Sequence, residues 1–341
     1  LIRSDTQGRR ALGLFAALAP LVIALSPGCT CADAPPKADA SASGDKAPID
    51  AHLHLTGTDV VPDLLAVLDR RGIGRAVVLS TPDVTAGRGG QGLDGYRAGN
   101  EAVLRAAAEN AGRFVPFVTL DLARDTPEYL DDLLRRGACG VKLYDGHHLF
   151  HERRLDDAAH RPLFAMIEAR RVPLLLHVNT ARYRDELSGL LGAFPKLAAV
   201  CAHLCGSRTD LDRFESIRDA FPDLLFDTSH GSAEPATQGF AYLEKERARF
   251  RAILEKTPER FLFGSDLVTA KAGPTWKEEW DLQVRANLGL LRDASFEFWK
   301  KGEQGQLELG QYQGQALPAE LLDKVLAGNA RRWLGRCLEP R

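Results

Sequence analysis

From residue 49 onward, apolar residues follow two periods that take turns. Short runs that are apolar on both faces, or alternate polar and apolar, predict strands. Longer stretches with apolar residues three or four apart predict helices. Strand-like runs lie at 49–55, 75–80, 114–119, 139–144, 172–177, 197–203, 224–227 and 261–266. Helical stretches at 60–71, 100–111, 127–136, 161–170, 185–194, 210–221 and 240–256 separate them, with Gly72 as a stop after the first. Eight β units in strict alternation with helices predict a parallel sheet with right-handed crossovers, an α/β fold most economically closed as a (β/α)8 TIM barrel. Pro116 is awkward in a central strand. An open doubly wound sheet competes, but no Gly-x-Gly-x-x-Gly follows the first strand. Beyond the eighth strand, helices are expected at 280–291 and 318–334, with a Gly- and Gln-rich insertion at 302–314 between them.

Reactive groups of such a barrel sit at the C-terminal ends of its strands. In the first strand His52 and His54 project together, while Ile49, Ala51, Leu53 and Leu55 face the other way. Lys142 lies near the end of the fourth strand, His177 ends the fifth, His203 the sixth and Asp266 the eighth. One buried strand-end histidine is ordinarily packing. Three strands ending in His and one in Gly-Ser-Asp, all on one rim, point to a metal site, since neutral imidazole and carboxylate are ligands of zinc-like ions.

Other residues are weaker candidates. Cys205 shares parity with Cys201 and His203 and is expected as pocket wall rather than ligand. His147, with His148 and His151 in the loop after the fourth strand, could touch substrate, and Asn179 shares the face of His177. Asp50, below His52, is expected to support it. The aromatic run Trp276, Trp280, Phe296, Phe298 and Trp299 reads as helix packing.

The 341 residues carry a net charge of −2, with 26% charged and 45% hydrophobic residues, which gives a globular core and no nucleic-acid footprint. Residues 1–28 read as an export signal: Arg9-Arg10, an apolar run over 11–25 too short to span a bilayer, then Ser26-Pro27-Gly28-Cys29. Cys29 after a small residue resembles a bacterial lipobox, and the paired arginines resemble a twin-arginine signal. Residues 29–48 are a flexible tether of Ala, Pro, Ser, Asp and Lys, and the folded part spans 49–341. Cys139, Cys201, Cys205 and Cys337 show no Cys-x-x-Cys spacing and suggest neither a disulfide framework nor a zinc ribbon; any pairing after export is left open.

Asp50-Ala51-His52-Leu53-His54, Gly140-Val141-Lys142-Leu143, His177, Ala202-His203-Leu204, Phe263-Gly264-Ser265-Asp266 and Gly328-Asn329-Ala330-Arg331-Arg332 together resemble the metal-dependent amidohydrolase superfamily. They resemble in particular its amidohydrolase-related, or amidohydrolase 2, branch. The resemblance implies that His52, His54, His177 and Asp266 hold one divalent ion, zinc being expected. It also implies that Asp266 takes the proton of the metal's water, and that His203 is a further ligand or polarises the substrate. Lys142 would either bridge a second ion as a carboxylated lysine or pair with a pocket carboxylate or substrate oxygen; one ion is favoured. The activity implied is hydrolysis of a small molecule, with non-oxidative decarboxylation as the alternative and a non-catalytic binding barrel as a third. The place expected is the periplasm or outer surface of a bacterium, touching membrane only through the lipid. Mass spectrometry of the mature protein should show a chain starting at a lipidated Cys29, because several acyl chains anchor stably where one does not; an unmodified Cys29 would remove the lipoprotein assignment.

Overall fold

The computed structural model describes residues 46–231 and 233–339. The segment expected to be an export signal, Cys29 and the expected tether up to residue 45 lie outside the described residues. The barrel proper runs β1 (Ile49–Leu55), α1 (Val61–Arg70), β2 (Arg75–Ser80), α2 (Tyr96–Glu109), β3 (Phe114–Thr119), α3 (Pro127–Arg135), β4 (Gly140–Gly146), α4 (Arg161–Ala169), β5 (Leu174–Val178) and α5 (Thr180–Ala193). It continues with β6 (Ala199–Cys201), a five-residue turn α6 (Ala202–Gly206), α7 (Leu211–Ala220), β7 (Leu225–Asp227), α8 (Ala233–Lys245), α9 (Arg247–Lys256), β8 (Phe261–Leu262) and β9 (Leu267–Val268).

Each strand pairs in parallel with the next from β1 to β8, and the eighth strand is split. Its first piece, β8, pairs with β7, and its second, β9, pairs with β1. Between them Ala51 N donates to Phe263 O at 2.9 Å and Asp266 N to His52 O at 2.7 Å, so the sheet closes on itself. Strand residues alternate between two packed layers. Val77, Leu79, Phe117, Leu175, Val200 and Leu262 fill the barrel interior, while Val78, Leu143, Leu176, Phe226 and Phe263 meet the helices outside.

β1 departs from the expected parity. Ile49 and Ala51 belong to the interior layer but Leu53 and Leu55 to the outer one, because the register against β2 slips between Asp50 and Leu53. That bulge lets His52 and His54 follow Ala51 into the interior and moves Asp50 off their face. The helix expected at 240–256 is two helices that meet at Glu246, with no Gly or Pro to mark the break.

After α10 (Trp276–Arg292) comes an antiparallel hairpin, β10 (Ser295–Lys301) and β11 (Leu307–Gln313), the second strand of which lies in the expected Gly- and Gln-rich insertion. Only Trp276 and Trp280 of the aromatic run are helical. Phe296 and Phe298 alternate on β10 and, with Tyr312 opposite, pack around Phe240 of α8. The closing helix is broken into α11 (Ala319–Asp323), a wide turn over Lys324–Gly328, and α12 (Asn329–Leu334). Trp333 of α12 plugs the barrel floor, its ring 5.2 Å from that of Phe117.

All four cysteines of the barrel are paired, contrary to the expectation of no disulfide framework: Cys139 with Cys337, and Cys201 with Cys205. Pairs 198 and 4 residues apart have no common spacing from which to read them. The first ties the start of β4 to the C-terminal segment below the floor. Replacing Cys139 and Cys337 by serine should lower stability by about 2–4 kcal/mol in urea unfolding and leave metal binding at the opposite rim unchanged; a loss of metal binding would contradict the separation of floor and rim.

Candidate metal centre

The inward-facing ends of the strands bring His52, His54, Lys142, Tyr144, Asp227, His203 and Asp266 to one rim. The slip in β1 places the two histidines side by side, with Nε2 atoms 3.1 Å apart. Asp266 Oδ1 lies 3.1 Å from both. His203 Nε2 is 3.6 Å from Asp266 Oδ2, and ligand atoms of His52, His203 and Asp266 all fall within 4.8 Å of one another.

Asp227 organises this group. Its Oδ2 accepts from His52 Nδ1 at 2.8 Å, and its Oδ1 accepts from His203 N at 2.8 Å, Ser229 N at 3.0 Å and Ser229 Oγ at 2.6 Å. A carboxylate only accepts, so His52 carries its proton on Nδ1 and turns the Nε2 lone pair inward. His203 Nδ1 faces Ser229 Oγ at 2.9 Å and Ser229 O at 3.2 Å, and again Nε2 is left as the lone pair. Tyr144 Oη lies 2.9 Å from His54 Nδ1 and can donate to Ser80 O at 3.2 Å, so His54 Nε2 is free in the same sense.

Three lone pairs and a carboxylate therefore converge, with a single donor among them: Lys142 Nζ, 3.2 Å from His52 Nε2. Acceptors held this close need a cation, and a nitrogen-rich set with one carboxylate suits zinc or a similar divalent ion. Burial favours the neutral rings, pushing His54 down to about 4 and His203 to about 3. It also lowers Lys142 to about 8. Burial opposes ionisation of Asp266, but positive charge at the surrounding positions of His203, His52 and His54, which with the rings neutral a bound cation would supply, holds the carboxyl well below its usual range.

The turn bearing Asp266 is built for it. Asp266 has φ +52°, and Gln283 and Asn287 of α10 hold the turn by donating to the Ser265 and Asp266 carbonyls. Gly231 leaves room beside it, since a Cβ there would lie 2.6 Å from Asp266 Oδ2. Asp50 Oδ1 accepts from His52 N and Ser265 N and joins β1 to this turn, so its support reaches His52 through the main chain rather than the ring.

The remaining candidates divide. His177 meets the group by ring packing alone, edge-on to His203 at 4.9 Å and to His147 at 4.7 Å. His147 thus reaches the rim, whereas His151 is stacked on Tyr183 and bonded to Glu186. Asn179 Oδ1 caps α5 through Ala181 N. Cys205 is not pocket wall: its sulfur is bonded to Cys201 in the layer outside the sheet. Lys142 has no carboxylate at ion-pair distance among the described residues. Two residues escaped the sequence reading. Asp227 ends an apolar strand as Asp266 does, and that was its signal; Arg208, in the loop after α6, gave none. Arg208 Nη1 donates to His230 O at 2.5 Å, beside Gly231, and the guanidinium has no carboxylate partner among the described residues.

A family model described as amidohydrolase matches residues 49–336. The chain belongs to the amidohydrolase family. Its members are metal-dependent enzymes, and this chain is one of them. Solved structures with the same fold include a protein assigned as 2-pyrone-4,6-dicarboxylic acid hydrolase from Pseudomonas putida, at 18% identity and TM-score 0.57 over 86% of this chain and 99% of that one. A zinc-bound amidohydrolase from Burkholderia multivorans aligns at 15% identity and TM-score 0.55 over 86% and 100%. 5-Carboxyvanillate decarboxylase from Sphingomonas paucimobilis aligns at 15% and 0.50 over 84% and 98%. A search of curated proteins gave no match.

Because Asp227 sets the tautomer of His52, Asp227→Asn should weaken zinc binding about 10–100-fold in competition with a chromophoric chelator. Unchanged affinity would show that the His52 orientation does not depend on this carboxylate.

Proposed function

We propose that this amidohydrolase is an exported hydrolase of a small anionic molecule. The observation that carries the reading is the exposure of Asp266. Its side chain is 17% accessible, whereas His52 and Asp227 are at 0%, His203 at 3% and His54 at 5%. One oxygen, Oδ1, lies between His52 and His54, and the other, Oδ2, lies toward His203. The carboxylate is thus placed to face a metal with one atom and to move a proton with the other.

His52, His54, Asp266 and His203 would hold the ion, with His177 next to them. When bound, such an ion lowers the pKa of water and polarises a carbonyl. Asp266 Oδ2 would accept the proton of the attacking water and return it to the leaving group. His203 Nε2, on the same side, would complete the ligand set with its lone pair. Arg208, a half-buried cation without a carboxylate partner among the described residues, would anchor an acidic group of the substrate. Two disulfides that use all four barrel cysteines support an oxidising compartment, as export would provide.

Decarboxylation is the second reading, because the same donors could hold a carboxylate whose loss leaves a carbon for Asp266 or His203 to protonate, and the fold also occurs in a decarboxylase. Lactones, amides, esters and aromatic acids bearing carboxylates should be screened in ¹⁸O-labelled water with gas analysis. The hydrolase puts label in the product and releases no carbon dioxide, and Asp266→Asn keeps metal while losing about 10²–10⁴-fold in turnover. Carbon dioxide with no label in the organic product would sink the hydrolase reading.

A further inference from the structure

His203 stands where strand geometry would not put it. On β6, Ala199 and Cys201 face the helices and Val200 faces the barrel interior. Continued alternation would send His203 outward with Cys201. Its ring is instead inside, 5.1 Å from that of His52. The reversal occurs in α6, where His203, Leu204 and Cys205 have φ of +59°, +51° and +57°, and Gly206 follows at +68°. L-residues visit this region singly; three in succession make a left-handed turn that the chain does not adopt unaided. The Cys201–Cys205 disulfide spans that turn from the last residue of β6 to the last of the three left-handed non-glycine residues, with Cα atoms 4.8 Å apart. Thr180 Oγ1 donates to Cys205 O at 2.6 Å and pins the same end, while His203 N on Asp227 pins the other.

We infer that the Cys201–Cys205 disulfide is a positioning device that holds the left-handed turn and thereby aims His203 into the metal centre. Without the bridge the turn relaxes toward ordinary backbone, and the imidazole swings away from Asp266 and Ser229. The importance of that position rests on the metal-centre reading; the position itself does not.

The test uses the full chain with labelled histidine rings, the His203 signal being assigned by its absence in His203→Gln. Cys201→Ser/Cys205→Ser should shift that signal and weaken Co(II) binding about tenfold or more, with an altered visible spectrum. Cys139→Ser/Cys337→Ser should change neither. Cys201→Ser/Cys205→Gly should lie closer to the wild type than the serine pair, because glycine takes φ near +57° without penalty. Adding His203→Gln to the serine pair should cost little more Co(II) affinity, as expected when two changes act through one group. A wild-type His203 signal in the serine pair, or fully additive losses, overturns the inference. If the serine pair does not fold, the wild type is reduced in place with a phosphine, which takes one oxygen from water as the disulfide becomes two thiols, and the same signal is read. A wild type that takes up no Co(II) would refute the metal-centre reading, while the ring signal would still decide the role of the bridge.

Discussion

The carboxylate of Asp227 is the constraint from which the rest of the site follows. It is fully buried, and burial opposes its ionisation; the neighbouring imidazoles of His52 and His203 outweigh that and hold it well below the usual carboxylate range. Its four hydrogen bonds join three parts of the barrel: a ring on β1, the backbone after β6, and the residue two beyond it after β7. Removing the charge would release the His52 tautomer and the His203 backbone together. An isolated buried charge is costly, so this one persists because four donors reach it, three at Oδ1 and one at Oδ2.

Two irregularities of the backbone make the convergence possible. A regular β1 would place His52 and His54 opposite Ile49 and Ala51, and the interior would have to exchange its packing residues for polar ones. The slip between Asp50 and Leu53 lets one strand supply apolar filling below and two imidazoles above. An unbroken eighth strand would likewise carry Asp266 past the rim. Splitting it at Gly264 closes the barrel with both pieces and turns the carboxylate back over the histidines; a Cβ at Gly264 would lie 2.9 Å from the His52 Cβ.

Much of this was legible in the residues. Alternating periods yield the eight-fold order of strands and helices, and ligand-type residues at strand ends mark the rim. What was not legible shares one cause: it depends on local departures from ideal period. Parity misjudged Ile49, Ala51 and Cys205 because it assumes an unbroken strand, and His203, read as the end of the sixth strand, reaches the interior through the left-handed turn instead. The hairpin was missed because its apolar residues are few and split across two strands, with Leu307 and Leu309 exposed. Asp227 was visible as the end of a strand, but only its distance to His52 shows what it does. Arg208 lies in a loop, where neither period nor spacing reports direction.

Charge balance links the centre to the kind of molecule it can receive. Asp227 and Asp266 are anions, and Asp50, raised by burial to about 6, adds a third at neutral pH. Against them stand Lys142 and Arg208, so the protein groups alone are near balance. A divalent ion tips the interior to net positive, at a rim where low polarity strengthens each interaction. A neutral ligand would leave that excess uncompensated, and a cation would add to it. An anion offsets it, and Arg208, like Lys142, is a cation without a carboxylate partner among the described residues. The same excess would favour negative charge developing on oxygen at the rim, so the cation proposed to anchor an acidic substrate and the ion that would stabilise its reaction draw on one field.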